Sequence, residues 1–294
     1  MGWSLTLGGM EKCVIVNADD FGFCGGVNKA IEKAYNDGVL TSTTIMAGAD
    51  GIQEAVEMAK SMPRLGVGVH LNLVQGKAVS QSDKTKCLID ENGELKYSPV
   101  KIAVKSMLCG KIREAIEIEL TAQVQSVIDM GIKPTHFDSH KHVHTFPSIY
   151  SIVVKVAEKF GIGAIRWPGE SGKTCNSDWP LPSKGGKNRT LKVSMMARMN
   201  RVQNRKYIKN DAFFGVAHTG AADDEFWKAV CRNVGPGVTE VMVHPGYAEG
   251  MDPSKTRLIE ERQIELDALC SESTKKAIAE AGIKLVSYGE ILSV

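Results

Sequence analysis

From Lys12 onward, short β-branched runs alternate with segments of helical period, and no other property of the chain narrows its fold as much. "CVIVNADD" is an apolar strand run that ends in acids, after which Val27, Ala30, Ile31, Ala34 and Tyr35 recur at helical spacing until Asn36-Asp37-Gly38. A second strand and turn, "VLTSTTIMAGAD", leads to a helix on Ile52, Ala55, Val56 and Ala59 that stops at Pro63, and then to a third strand, "LGVGVHLNL". Residues 76–110 lack a clear period and read as an inserted loop or lid; a long helix on Ile116, Leu120, Val124, Val127 and Ile128 follows and ends at Gly131. "THFD", running into "SHKHVH", is the fourth strand, Ile149, Ile152, Val153 and Val156 mark the next helix, and "IGAIRWP" is the fifth strand. A second insertion covers residues 168–210, after which "AFFGVAH", "VTEVMVHPG" and "IKLVSYGEIL" read as three more strands separated by helices.

Seven or eight βα units in one run, undivided by any linker-like shift of composition, predict an α/β fold of the (β/α) barrel type over residues 12–294. Residues 1–11 read as a disordered leader or an upstream start, with Met10 as an alternative initiator. The rival is an open doubly wound sheet. "NADDFGFCGG" puts acids where a dinucleotide fold needs G-x-G-x-x-G, which argues against NAD or FAD binding. A formal charge of +2 gives no basic field for nucleic acid, and no apolar run approaches the roughly eighteen residues of a membrane span, so a cytoplasmic chain with a small partner is expected. The seven cysteines show no C-x-x-C pair and read as reduced thiols. A homodimer is compatible with long insertions, although no sequence feature demands one.

The unusual polar residues gather at the C-terminal ends of the strands, where barrels carry their chemistry. Asp19-Asp20 end the first, His70 the third, Asp138 and His140 the fourth, Arg166 the fifth, His218 the sixth and His244 the seventh. None of the histidines falls on a helical face, whereas structural histidines would scatter. Two adjacent carboxylates after a buried strand repel each other unless a cation or a proton divides their roles, so one can bind metal while its neighbour acts as base. The plainer reading is a helix cap. Asp20, His70 and His140 supply one carboxylate and two imidazoles from three strand ends, a ligand set for a catalytic divalent ion with open positions. His136 and His142 fit supporting hydrogen bonds or packing, and Asp138 could orient a ligand imidazole.

The stretches "VIVNADDFG", "GVGVHLNL", "KPTHFDSHKHVHTFP" and "VMVHPGY", in this order between Cys13 and Tyr247, resemble the YdjC-type carbohydrate deacetylases, the chito-oligosaccharide deacetylase family. The resemblance implies a distorted TIM-like barrel and a metal-dependent hydrolase that removes N-acetyl groups from amino sugars such as diacetylchitobiose. Asp20, His70 and His140 would bind one divalent metal, magnesium or zinc; Asp19 would be the catalytic base and His244 the general acid. Arg166 would orient Asp19, while Trp167 offers either a face for a sugar ring or plain core. The second insertion has no acid between Asp178 and Asp211 but carries Lys184, Lys187, Arg189, Lys192, Arg198, Arg201, Arg205 and Lys206, which suits either a solvated face or a phosphorylated sugar. A phosphoesterase or amidohydrolase on the same barrel is the alternative activity. A facial-triad iron oxygenase would need an all-β context, and a non-catalytic sugar binder would have no use for Asp19 beside Asp20.

Overall fold

The computed structural model describes residues 11–203 and 205–293 of the 294-residue chain. Residues 1–10 of the expected leader lie outside the described residues; Glu11 already belongs to the fold, its carbonyl accepting from the Gly237 amide at 3.0 Å. Eight strands form one sheet: β1 (Lys12–Phe21), β2 (Ser42–Ile45), β3 (Gly66–Leu71), β4 (His136–Ser139), β5 (Ala164–Ile165), β6 (Ala212–Phe214), β7 (Gly237–Val243) and β8 (Ile283–Leu285). Their order is β5-β4-β3-β2-β1-β7-β6, with β8 on β1, and every pairing is parallel. The crossovers that parallel pairing requires carry α1 (Gly25–Asp37), α2 (Ile52–Ser61), α3 (Pro99–Leu108), α4 (Gly110–Asp129), α5 (Pro147–Phe160), α6 (Gly186–Gln203), α7 (Asp224–Asn233), α8 (Glu260–Cys270) and α9 (Glu272–Glu280), and α10 (Tyr288–Leu292) follows β8. The apolar helical faces read from the sequence, Ile31 and Ala34 on α1 or Ile149 and Val153 on α5 among them, are the buried ones.

The barrel is distorted because it does not close through its ladder. Among the described residues β5 and β6 stand at opposite ends of the strand order, and they are only two and three residues long. Asn210 spans the gap: its Oδ1 accepts from the Trp167 amide at 3.1 Å and its Nδ2 donates to the Trp167 carbonyl at 2.8 Å. A side-chain amide thus takes the place of a strand at the seam.

Three expectations are corrected. "IKLVSYGEIL" is not one strand, because a capping box formed by Ser287 and Glu290 starts α10 three residues after β8 begins to fade. "AFFGVAH" stops being strand at Phe214; Gly215 follows at φ 123, where a Cβ would meet the Met242 carbonyl oxygen at 2.5 Å. His218 therefore lies beyond the strand end. The first insertion is an ordered cover, with a 3₁₀ turn at Asp83–Leu88, bridges Lys77–Glu94 and Ile89–Leu95, and α3 capped by Ser98 with Pro99 in its first turn. The second is built around α6 and held by buried Glu170, whose carboxylate accepts from the Gly215 and Ala217 amides at 3.2 and 2.8 Å and whose carbonyl accepts from Ser194 Oγ at 2.7 Å. No helix among the described residues is long and apolar enough to cross a membrane.

Glu119 of α4 fixes the first insertion. Fully buried, it accepts from the Val79 and Ser80 amides at 2.9 and 3.0 Å and from Gln123 Nε2 at 2.8 Å. Glu119→Ala leaves those donors buried without an acceptor and is expected to lower stability by about 1–3 kcal/mol, measured by urea unfolding, with faster proteolysis in the first insertion.

Candidate metal and catalytic site

Regular strand alternation would send Asp19 and Asp20 to opposite faces. The register between β1 and β2 slips between Ala18 and Phe21, and Asp20 takes φ 68, a left-handed conformation that costs a non-glycine residue on the order of 1–3 kcal/mol. The slip brings both carboxylates to the wall of one cavity of about 560 Å³ at the C-terminal ends of the strands, which His70, His140, His142 and His244 also line.

Asp20 Oδ1 lies 3.1 Å from His140 Nδ1 and 3.4 Å from His70 Nε2, and one donor atom from each of the three residues falls within 4.8 Å of the others. One carboxylate and two imidazoles suit zinc, nickel or cobalt, with room for magnesium or manganese if water completes the shell. His70 is oriented from behind: its Nδ1 is 2.7 Å from Asp138 Oδ1, and Thr44 Oγ1 donates to Asp138 Oδ2 at 2.9 Å. Burial alone would lower the His70 pKa, but Asp138, with Asp20 and Asp19, raises it to about 10. Burial would raise the pKa of Asp20, yet Arg262 and the two imidazoles hold it well below the ordinary carboxylate value. A divalent cation there would have to displace the proton that Asp138 and Asp20 favour on His70. Asp19, His70 and Asp138 form a second group of similar span, but Arg166 already occupies both carboxylates.

Arg166, fully buried, donates through Nη1 and Nη2 to the two oxygens of Asp19 at 2.7 and 2.6 Å, through Nη1 reaches Asp138 Oδ2 at 2.7 Å, and through Nε donates to Glu240 Oε1 at 2.7 Å. Burial opposes ionisation of Asp19, but Arg166 outweighs it and keeps the carboxylate charged far below its usual range. Across the cavity His244 Nε2 stands 4.0 Å from Asp19 Oδ2, while the His244 amide is anchored at 2.5 Å on Glu265. Burial pushes the His244 imidazole down to about 4 against the pull of Asp19 and Asp20, so it is neutral in the ligand-free site.

The remaining clustered histidines serve this frame. His136 stacks on Tyr288 with centroids 3.8 Å apart and places Nε2 3.0 Å from Asn17 Oδ1, and Asn17 donates onward to Asp19 at 3.1 Å. His144 ties Ser139 Oγ, at 2.5 Å, to the Arg166 carbonyl at 3.2 Å. His142, reached through left-handed turns at Lys141 and His142 itself (φ 53 at each), lines the cavity with a buried Nδ1 that has no partner among the described residues. Trp167 is core rather than a sugar platform: it is buried, gives its indole N–H to the Ala197 carbonyl at 2.8 Å, and packs so tightly on Gly169 that a Cβ there would meet its ring at 2.1 Å. His218 is likewise structural, bonded to the Pro180 carbonyl at 3.0 Å and packed against Trp179 and Phe226. Sequence reading passed over Thr44, Gln75, Glu240, Glu265 and Arg262, which contact the frame from positions outside the quoted motifs.

Arg166→Met leaves three buried acids without their shared cation and is expected to cost about 3–5 kcal/mol in urea unfolding. Burial raises the Glu240 pKa to about 7 even against the pull of Arg166; without that pull it lies higher still, and protonation relieves the uncompensated charge, so the variant should regain part of the loss as pH falls toward 7.

The sequence matches the family described as YdjC-like protein over residues 13–280. A carbohydrate deacetylase of Geobacillus stearothermophilus is 33% identical over 282 residues, 96% of this chain and 98% of that protein. A chitooligosaccharide deacetylase of Salmonella paratyphi B is 34% identical over 283 residues, 96% of this chain and 100% of its own. Among solved structures, a provisionally assigned cellobiose-phosphate cleavage protein of Enterococcus faecalis V583 superposes with a TM-score of 0.74 at 25% identity, covering 96% of this chain and 99% of that one. The match over residues 13–280 and the full-length similarity to these relatives show that the chain belongs to the YdjC-like family.

Proposed function

We propose that the protein is a metal-dependent deacetylase that hydrolyses the N-acetyl group of an amino sugar or short chito-oligosaccharide to the free amine and acetate. The deacetylase relatives support the bond cleaved. The observation that carries the division of labour is the split between neighbouring carboxylates, Asp20 facing two imidazoles while Asp19 is clamped by Arg166 with one oxygen 4.0 Å from His244.

A divalent cation held by Asp20, His70 and His140 would polarise the acyl group and acidify water. Asp19 takes the proton of the attacking water at a carboxylate oxygen, and the Arg166 fork keeps that oxygen ionised and aimed. His244 faces the site from β7's end with Nε2 4.0 Å from Asp19 Oδ2; negative charge growing on the acyl oxygen favours its protonated form, so the proton that Asp19 took from water passes to Nε2 and from there to the departing amine, which leaves Asp19 ionised again. Glu265 fixes the backbone of His244 at the turn where this happens.

The cavity wall also carries Lys141, Arg189, Lys255 and Arg257. These cations suit a phosphorylated sugar as substrate, and they also favour the second reading, a phosphoesterase on the same frame. Acetate release from N,N'-diacetylchitobiose and from a phosphorylated form of it, with and without chelator and beside a generic phosphoester, decides among these. Expected are chelator-sensitive acetate release, no phosphate release, and an Arg189→Ala/Arg257→Ala double variant that loses preference for the phosphorylated sugar.

Asp19→Asn is expected to lose about 10²–10⁴-fold in turnover with bound metal retained. Asp20→Ala, His70→Ala and His140→Ala should lose the metal, measured by elemental analysis of the purified proteins; an active Asp19→Asn protein would overturn the base assignment.

A further inference from the structure

Arg262 lies in the first turn of α8 and is almost fully buried, yet it forms part of the cavity wall beside Asp20, His70 and His244. Its Nε reaches the Leu258 carbonyl at 3.3 Å and its Nη2 donates to Asp20 Oδ2 at 2.6 Å. Nη1 is buried and has no hydrogen-bond partner among the described residues. A guanidinium is never deprotonated, and an N–H of it left unpaired in a buried site loses hydration with no return, so such a group needs a purpose or a ligand. The fold makes room for it deliberately: a Cβ on Gly246 would come within 2.9 Å of Arg262 Cδ, and the Gly246 amide donates to the Arg262 carbonyl at 3.2 Å. The Phe23 ring, 5.7 Å from the guanidinium carbon, backs the group.

The two oxygens of Asp20 are thereby divided. Oδ1 faces the imidazoles at 3.1 and 3.4 Å, while Oδ2 is taken by Arg262. Resting on the deacetylase reading above, we propose that Arg262 has two tasks: it restricts Asp20 to a one-oxygen metal ligand, and its free Nη1–H donates to the acyl oxygen as the water oxygen bonds to the acyl carbon. The electron pair of the C=O bond moves to that oxygen, Nη1 stabilises the charge, and the pair returns when the C–N bond breaks and the amine leaves with the proton from His244. Both tasks follow from the fork: one N–H is fixed on the carboxylate, and the second is held beside it at a set angle.

Three substitutions and one titration test this. With wild-type acetate release established, Arg262→Ala is expected to lose about 10²-fold in kcat with KM changed little, and added guanidinium ion to restore much of the loss. Arg262→Lys, which keeps a charge for Asp20 but not the second fork N–H, should resemble Arg262→Ala in turnover. Arg262→Gln removes the charge that competes for Asp20, so zinc titrated into the metal-free protein should bind at least as tightly as to wild type. Absence of acetate from wild type would overturn the deacetylase reading itself. Wild-type acetate release with kcat unchanged in Arg262→Ala, or a loss of zinc binding in Arg262→Gln that accounts for lost activity, would overturn the role of Arg262 alone.

Discussion

One guanidinium holds the interior together. Arg166 leaves the end of β5, the weakest edge of the sheet, and ends on carboxylates carried by β1, β4 and β7. Isolated, each of those acids would be costly to bury, and a lone arginine would be costlier. Together they convert four strand ends into one rigid frame, and Tyr288 of α10 closes it by donating to the far oxygen of Glu240 at 2.6 Å. His70 is mounted on this frame at one remove, since Asp138 touches both Arg166 and His70. A displacement of Arg166 would therefore move Asp19 and His70 together.

The fold was legible where burial leaves a mark on composition. Parallel strands covered on both faces are continuous apolar runs, so acids and histidines at their ends stand out. Helix starts inside ambiguous stretches were not legible for a different reason: Ser98-Pro99 is loop punctuation in isolation and a cap with a first-turn proline in context, and Ser287 to Glu290 begins a helix within an apolar run. His218 was misplaced because Gly215 ends its strand early through a backbone angle, which residue type alone does not announce.

The site was legible in part by the same logic. Asp19, Asp20, His70, Asp138, His140, Arg166 and His244 meet because each ends or adjoins a strand of the one sheet. Arg262 was not, since it is one charge among many in a helical segment and its partner Asp20 lies 242 positions away. Trp167 shows another limit: residue type at a strand end left a sugar platform and plain core both open, and tight approach of Gly169 and the bond to Ala197 turn it inward. Side-chain direction, more than position, separates these cases.

The seam between β5 and β6 has a consequence for how such proteins diversify. Because the Asn210 amide joins the two edges, the segment that leaves at Trp167 and returns at Asn210 starts and ends at the open side of the strand order, and the bonds of Glu170 and Asn200 that pin it to the barrel belong to no ladder. Its length and charge can drift without unpairing a strand, and its helix α6 contributes Arg189 and Val193 to the cavity wall. On the proposed function, a change in this segment would reshape the cavity wall while the Arg166 frame stayed as it is.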